Sequence, residues 1–297
     1  MGQFLGLLMG KIMGDSIRAT IWYIIFIKRR GEIKLLGGKK LQWASLLLVL
    51  TASPMLMGQA ANSSAGTFWQ KIDEGFEAGF MQLDGPPYQT FFKLRVLRID
   101  PDRFQVRVLD SRAFGVDRME IKTLARQAQA LAAINGGFFF PDYRPLGFLI
   151  VDGREVNPLR KADWGIFLIQ DSHPRIIHTK EFENDGTISQ ALQVGPRLVV
   201  DGKVKIMKKQ VSRRSALGIT FKNQIILLNT EDTDAYFQDL ARIFRLPESE
   251  GGLECRDALA LDGGGSAQMY AEYKSLKIDI PGGWAIPNGI GVFKKQP

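Results

Sequence analysis

Past Trp69 the chain is built of short runs in which apolar and polar residues alternate, separated by turn-forming residues, which predicts strands with one buried face. Phe91–Ile99 (FFKLRVLRI) and Phe104–Leu109 (FQVRVL) are the first clear pair, and Asp100-Pro101-Asp102 between them predicts a hairpin. Further strand-like runs are Leu146–Val151, Trp164–Ile169, Arg175–Thr179, Gln193–Val200, the pair Ala216–Phe221 and Gln224–Asn229, Ala258–Leu261, and Asn288–Phe293. Two segments switch to helical spacing. Ile121–Ala132 places Leu124, Ala128 and Leu131 on one face, and Ala235–Phe244 does the same with Phe237, Leu240, Ala241 and Phe244. No repeat, low-complexity linker or composition break follows residue 70. The pattern therefore predicts one α+β domain, a strand-rich mixed sheet with a few flanking helices.

The N-terminal 61 residues obey a different grammar. Leu41–Met57 is an uncharged apolar run preceded by Lys39-Lys40 and followed by Gly58-Gln59-Ala60-Ala61, the basic, apolar, small order of a secretory signal cleaved near Ala60 or Ala61. Pro54 suits that reading better than a continuous membrane helix. The alternative is an uncleaved anchor over residues 41–57, a run near the lower length limit for spanning a bilayer. Ile21–Ile27 is a second apolar patch too short to span, and Lys28-Arg29-Arg30 behind it extends the basic region, so the leader is unusually long or begins upstream of the true start. The positive flank predicts that the body is exported, periplasmic or secreted, with membrane contact only through an uncleaved leader. The expected organisation is a leader over 1–61, a polar spacer and lead-in segment over 62–90, and the folded domain over 91–297.

Composition is that of an ordinary globular chain, 297 residues long and able to bury a sizeable core. The formal net charge of +8 changes meaning once it is located. Residues 1–61 hold eight of the 39 Lys/Arg and two of the 31 Asp/Glu, leaving 31 bases against 29 acids and no reason to expect a nucleic-acid partner. Cys255, the one cysteine, excludes an internal disulfide and a cysteine-based zinc site, and reads as a buried small hydrophobe. The chain has no GxxxxGK[ST], HExxH or GxSxG. Its two histidines, His173 and His178, lie five apart in a strand-like run and should point to opposite faces, a poor metal pair.

Candidate chemistry gathers where strand-like runs end in glycine. Ala258–Leu261 leads into Asp262, Gly263-Gly264-Gly265 and Ser266, and Ala132–Ile134 leads into Asn135 and Gly136-Gly137. Glycines in series mark places where side chains do not fit, so each is a place for a ligand to approach the backbone. The glycines at 263–265 do not fit GxGxxG, and no βαβ unit surrounds them, which disfavours a dinucleotide site.

Four motifs in order, Ala133–Phe139 (AINGGFF), Gln193-Val194-Gly195-Pro196, Arg213–Gly218 (RRSALG) and Leu261–Ser266 (LDGGGS), resemble those of the phosphodiester glycosidase family. The resemblance runs from about Phe91 to Val292, and Leu253–Gly263 (LECRDALALDG) is similar to its bacterial branch. It implies hydrolysis of a sugar-1-phosphodiester at the glycosidic bond, with a glycan or sugar-phosphate of the cell envelope or extracellular space as substrate. That reaction needs an acid for the departing phosphate oxygen or a base for water, and positive charge or N–H donors for the phosphate. On this basis Asp262 and Asn135 are the catalytic candidates, and Asn135 and Gln193 are amides that hydrogen-bond sugar hydroxyls, hold Asp262, or are simply satisfied in the interior. Arg214, with Arg213 as its neighbouring alternative and Arg197 as a third, is the phosphate clamp. The amides of Gly263, Gly264 and Gly265 form either an anion nest or a tight turn with no ligand, Ser266 caps a turn or binds phosphate, and Gly136, Gly137 and Gln193 line the substrate. Strand alternation sends one of Arg213 and Arg214 inward. The second carboxylate of an ordinary glycosidase pair has three candidates, Glu231, Asp232 and Asp152. No cofactor is certain; a Ca²⁺ or Mg²⁺ ion on Asp262 and carbonyls is one possibility. A non-catalytic envelope protein that binds phosphorylated glycans through the same cleft is the alternative function.

Overall fold

A computed structural model describes residues 68–295, so the leader at 1–61 and the first residues of the spacer lie outside it. Among the described residues the chain forms twenty strands and only two α-helices, α1 (Ile121–Ala128) and α2 (Phe237–Arg245). The fold is mostly β rather than α+β. Instead of one mixed sheet there are three large sheets and a two-stranded ribbon, every pairing antiparallel. The lead-in segment is itself folded. Phe68–Asp73 and Phe76–Leu83 are strands at one edge of an eight-stranded sheet that continues through Phe92–Ile99, Ile225–Thr230, Ser215–Thr220, Cys255–Ala260, Arg197–Val200 and Lys203–Val204.

The two runs on either side of Asp100-Pro101-Asp102 are strands, but they do not pair. Phe92–Ile99 has partners on both edges, Phe76–Leu83 and Ile225–Thr230, so no edge is left for the next strand. Phe104–Asp110 crosses instead to a five-stranded sheet and pairs along its length with Asn288–Lys294. That sheet also holds Ala132–Asn135, Met269–Tyr273 and Leu276–Ile280. A second five-stranded sheet contains Arg154–Asn157, Leu149–Val151, Ile188–Val194, Gly165–Gln170 and His173–His178.

One apolar cluster joins the three sheets, with Ile99, Leu217 and Leu259 from the large sheet, Ile134 and Ile290 from one smaller sheet, and Phe167 and Leu192 from the other. This shared interior is the main reason the fold closes, since each sheet buries its apolar face against the others. The helices cover outer faces. Helix α2 seats Leu240 and Phe244 on the large sheet, and Gly218 permits the contact because a Cβ there would lie 2.8 Å from a Phe244 ring carbon. Helix α1 buries Ile121, Leu124 and Ala125 and ends at Ala128, capped by Gln129 in a left-handed conformation (φ 59°), four residues short of the sequence expectation. The stop lets Ala132 enter its strand and carry the chain to Asn135. Cys255 is buried against Gly218 and burial pushes its thiol well up, as a small interior hydrophobe.

Candidate active site

Segments adjoining strands of all three large sheets converge on a cavity of about 600 Å³, with Asp262, Gly263 and Gly264 on one part of its wall and Arg214 with Gln210 and Ser212 on another. Phe138, Trp164, Pro196 and Phe237 supply apolar surface, and Asp163 also faces the space. The mixture of aromatic rings with a few charged groups is that of a small-molecule site.

Asp262 is placed by its backbone. Its N–H donates to Gly136 O at 3.0 Å and its carbonyl accepts from Asn135 Nδ2 at 2.7 Å. Burial pushes its carboxyl above the ordinary aspartate range, while hydrogen bonds from the Ser266 hydroxyl and the Gly263 N–H pull the other way. The result is an acid that keeps its proton to higher pH than an exposed aspartate. Ser266 is buried and accepts from Trp284 Nε1 at 2.9 Å, which leaves its own proton for Asp262. In this arrangement its hydroxyl holds the Asp262 carboxyl, and the side chain does not line the cavity.

Asn135 is fully buried and does not line the cavity. Its Oδ1 accepts from Ser215 Oγ at 2.5 Å and from Gln268 N at 3.1 Å, and its Nδ2 is on Asp262 O, so the side chain is a joint between strands of two sheets. It positions Asp262; the expected catalytic role does not follow from this geometry. The glycines after it are equally structural. A Cβ at Gly136 would lie 2.2 Å from Asn288 Oδ1, and the same oxygen accepts from Gly137 N at 2.7 Å. Neither glycine reaches the cavity.

The expected anion nest is not formed as a unit. Gly263 N–H is directed to the Asp262 carboxyl and Gly264 N–H donates to Arg213 O at 2.9 Å, so these two amides are already engaged. Gly264 is left-handed (φ 60°), a turn requirement, and a Cβ at Gly265 would lie 2.4 Å from the Trp284 ring. Close packing, more than ligand approach, accounts for the three glycines.

Arg214 and Arg213 do point opposite ways. Arg214 is buried on the cavity wall, its Nε donating to Ala235 O at 3.1 Å and its Nη2 to Gln210 O at 2.6 Å. Its guanidinium carbon lies 3.6 Å from the centre of the Phe237 ring. The ribbon of Val211–Ser212 with Ala235–Tyr236 fixes both acceptor carbonyls relative to α2. Burial lowers its pKa to about 10, which still leaves it charged at neutral pH. Nη1 has no hydrogen-bond partner among the described residues and lies beside Gly263. Arg213 instead donates through Nη2 to Pro281 O at 2.7 Å, away from the cavity. Arg197 packs its side-chain carbons near Gly165 and also stays off the cavity lining.

Gln193 does not face substrate space. It is buried, and its Oε1 accepts from Phe148 N (2.9 Å) and Arg160 N (3.1 Å) while its Nε2 donates to Arg160 O (2.7 Å) and Thr179 Oγ1 (2.9 Å). A saturated amide of this kind is a clamp on the loop that follows Asn157 and ends at Trp164. Gln193→Leu is expected to destabilise the fold by about 2 kcal/mol, since the buried Phe148 N–H loses its acceptor at roughly 1–3 kcal/mol and the part-buried Arg160 N–H costs less. Urea unfolding of the variant measures it, and a loss below about 1 kcal/mol would mean that water replaces the amide.

The three second-carboxylate candidates all miss the site. Glu231 is paired with Arg95 Nε at 2.9 Å, Asp152 with Arg107 Nη2 at 2.6 Å, and Asp232 lies in a left-handed turn (φ 52°) off the cavity lining. The acid that does line the cavity is Asp163, hydrogen-bonded to His178 Nε2 at 2.7 Å. His173 and His178 do face opposite ways, and the inward one found a carboxylate instead of a metal partner. Nothing in local spacing flags Asp163, Gln210 or Phe237, because each reaches the cavity from a separate loop or helix end. Among the described residues no three His, Cys, Asp or Glu side chains come together as metal ligands.

The sequence profile described as Phosphodiester glycosidase matches residues 128–293 of the chain. The uncharacterized protein YigE of Escherichia coli (strain K12) is 25% identical over 138 residues, 42% of this chain; the chain spans about half of that relative, 54%. The zebrafish N-acetylglucosamine-1-phosphodiester alpha-N-acetylglucosaminidase catalytic domain, auto-inhibited by its pro-peptide, is similar in structure with a TM-score of 0.57 at 17% identity, over 78% of this chain and 87% of that one. A hypothetical protein from Synechocystis has a TM-score of 0.55 at 14% identity, over 77% of this chain and 64% of that one. At these identities the two structural likenesses establish a shared fold.

Proposed function

The chain belongs to the phosphodiester glycosidase family, and from that premise we propose that it hydrolyses the glycosidic bond of a sugar-1-phosphodiester in a cell-envelope or extracellular glycan. The observation that carries the reading is the joint placement of Arg214 and Asp262 on one cavity wall, a fixed cation with a free N–H beside an acid whose pKa is raised. Arg214 Nη1 takes a phosphate oxygen, a charge-assisted bond strengthened by burial. Asp262 gives its proton to the bridging oxygen as the bond to the anomeric carbon breaks. Phe138 and Trp164, whose ring centres are 5.0 Å apart, offer an apolar wall to the sugar. Export through the basic and apolar leader belongs to the same proposal; no helix among the described residues is long and apolar enough to cross a membrane.

The test is incubation of the purified chain with a panel of sugar-1-phosphodiesters, reading free reducing sugar and the released phosphomonoester. A folded wild type that binds such a ligand saturably without turning it over would make the protein a glycan-binding module instead. Arg214→Lys keeps a charge but loses the planar fork, so KM should rise about 10- to 100-fold with a smaller change in kcat. An unchanged KM would remove Arg214 from phosphate recognition.

A further inference from the structure

Asp163 stands at the end of the loop that Gln193 holds through Arg160, just before the Gly165–Gln170 strand. It thus comes from a different sheet than Asp262, yet both line one cavity. Its side chain is 95% exposed, while that of its partner His178 is 10% exposed. An exposed aspartate ordinarily swings freely. This one is tethered by a nearly buried ring, and the tether has a defined direction. Lys180 N donates to His178 Nδ1 at 3.1 Å, so the neutral imidazole carries its proton on Nε2 and donates it to Asp163 Oδ1 at 2.7 Å. Glu181 completes the arrangement by accepting from His178 N at 3.2 Å.

We propose that Asp163 is the second carboxylate of the site, the base that removes a proton from the water attacking the anomeric carbon. The inference rests on the hydrolytic reading above. The two acids are driven apart by their surroundings. The His178 hydrogen bond, with weaker help from the charges of Arg197 and Lys180, holds Asp163 below the usual carboxylate range, whereas burial holds Asp262 above it. Such a split assigns the ionised group to the base and the protonated one to the acid. The step balances. Water oxygen bonds to the anomeric carbon and its proton passes to Asp163. The bond to the bridging oxygen breaks, its electron pair stays on that oxygen, and the proton of Asp262 follows. One water is consumed, and a free sugar and a phosphomonoester leave. Proton exchange with solvent then resets both acids.

Asp163→Asn and Asp163→Ala test the assignment in the full chain, with a sugar-1-phosphodiester that the wild type turns over as probe. Asp163→Asn keeps an acceptor oxygen for His178 Nε2 and should melt as the wild type does, Asp163→Ala should melt slightly lower because it removes that acceptor, and both should bind the probe with a Kd within about threefold of the wild type's. The kcat of Asp163→Asn should fall about 100-fold or more. Sodium azide should restore consumption of the probe by Asp163→Ala and give a glycosyl azide, visible by mass spectrometry and NMR. Wild-type turnover in Asp163→Asn, or a loss that azide does not rescue, would overturn the base role. If either of those results comes with an inactive Asp262→Asn in the same assay, the hydrolytic reading stands while this inference falls. A wild type inert on the whole panel removes both.

Discussion

Asp262→Asn is expected to lower kcat/KM for a sugar-1-phosphodiester by about 10²- to 10⁴-fold, roughly 3–5 kcal/mol of transition-state stabilisation. The amide keeps the shape of the side chain and the backbone bonds to Gly136 and Asn135, which do not involve the carboxyl. What it loses is the proton. KM should therefore change little, since Arg214 still holds the phosphate. The pH profile gives a second check. With its carboxyl raised above the ordinary value of 3.8 by burial, Asp262 stays protonated into the range where an exposed aspartate is charged, and activity should decline on the alkaline side as it ionises. The same shift has a stability consequence of fixed sign. The folded protein holds this proton more tightly than the unfolded chain does, so the protein loses stability as pH rises from the ordinary value through the raised one. Asp262→Asn should lack that slope. A variant that retains turnover, or a wild type whose alkaline limb persists in Asp262→Asn, would reassign the acid.

Asn135→Ala should destabilise the fold by an amount on the order of 3 kcal/mol. It removes the acceptor of the buried Gln268 N–H, the donor to the half-buried Asp262 carbonyl and one of two partners of the Ser215 hydroxyl, which keeps Asn229 at 2.6 Å, and each unsatisfied group costs about 1–3 kcal/mol before local relaxation. For a domain of this size the midpoint should fall by roughly 6–12 °C. Activity should fall too, by about 10²-fold in kcat with KM nearly unchanged, because Asp262 loses one of its two backbone anchors and small displacements weaken proton transfer. Calorimetry and steady-state kinetics on the same preparation separate the two effects. A fall in activity with no fall in midpoint would return Asn135 to direct contact with substrate.

These two residues show what kind of information a linear sequence carries. Asp262 is legible because an acid that ends an apolar run and precedes three glycines stands where a buried strand opens onto a turn. Asn135 stands out for the same local reason, yet its task differs, since its side chain is saturated by partners 80, 127 and 133 positions away. Gln193 behaves alike: its amide looks available in a motif, but its partners consume every donor and acceptor that faces inward. Asp163 shows the converse. Its neighbours in sequence give no signal, and its role arises only when His178 is brought against it by the hairpin of Gly165–Gln170 with His173–His178.

Local geometry is legible in the linear chain: alternating strands, the apolar faces of α1 and α2, the opposite directions of Arg213 and Arg214, and the break at Asp262. Each follows from burying one face of a strand or helix, a constraint felt within a few residues. Long-range packing instead sets that Phe92–Ile99 and Phe104–Asp110 part company, that all pairings are antiparallel, and that Asp163 and Asp262 line one cavity. Strand partners compete for two edges over the whole chain, and the winning set depends on the shared core those sheets enclose. The two acids of the site are 99 positions apart in the chain, and that competition is what brings them together.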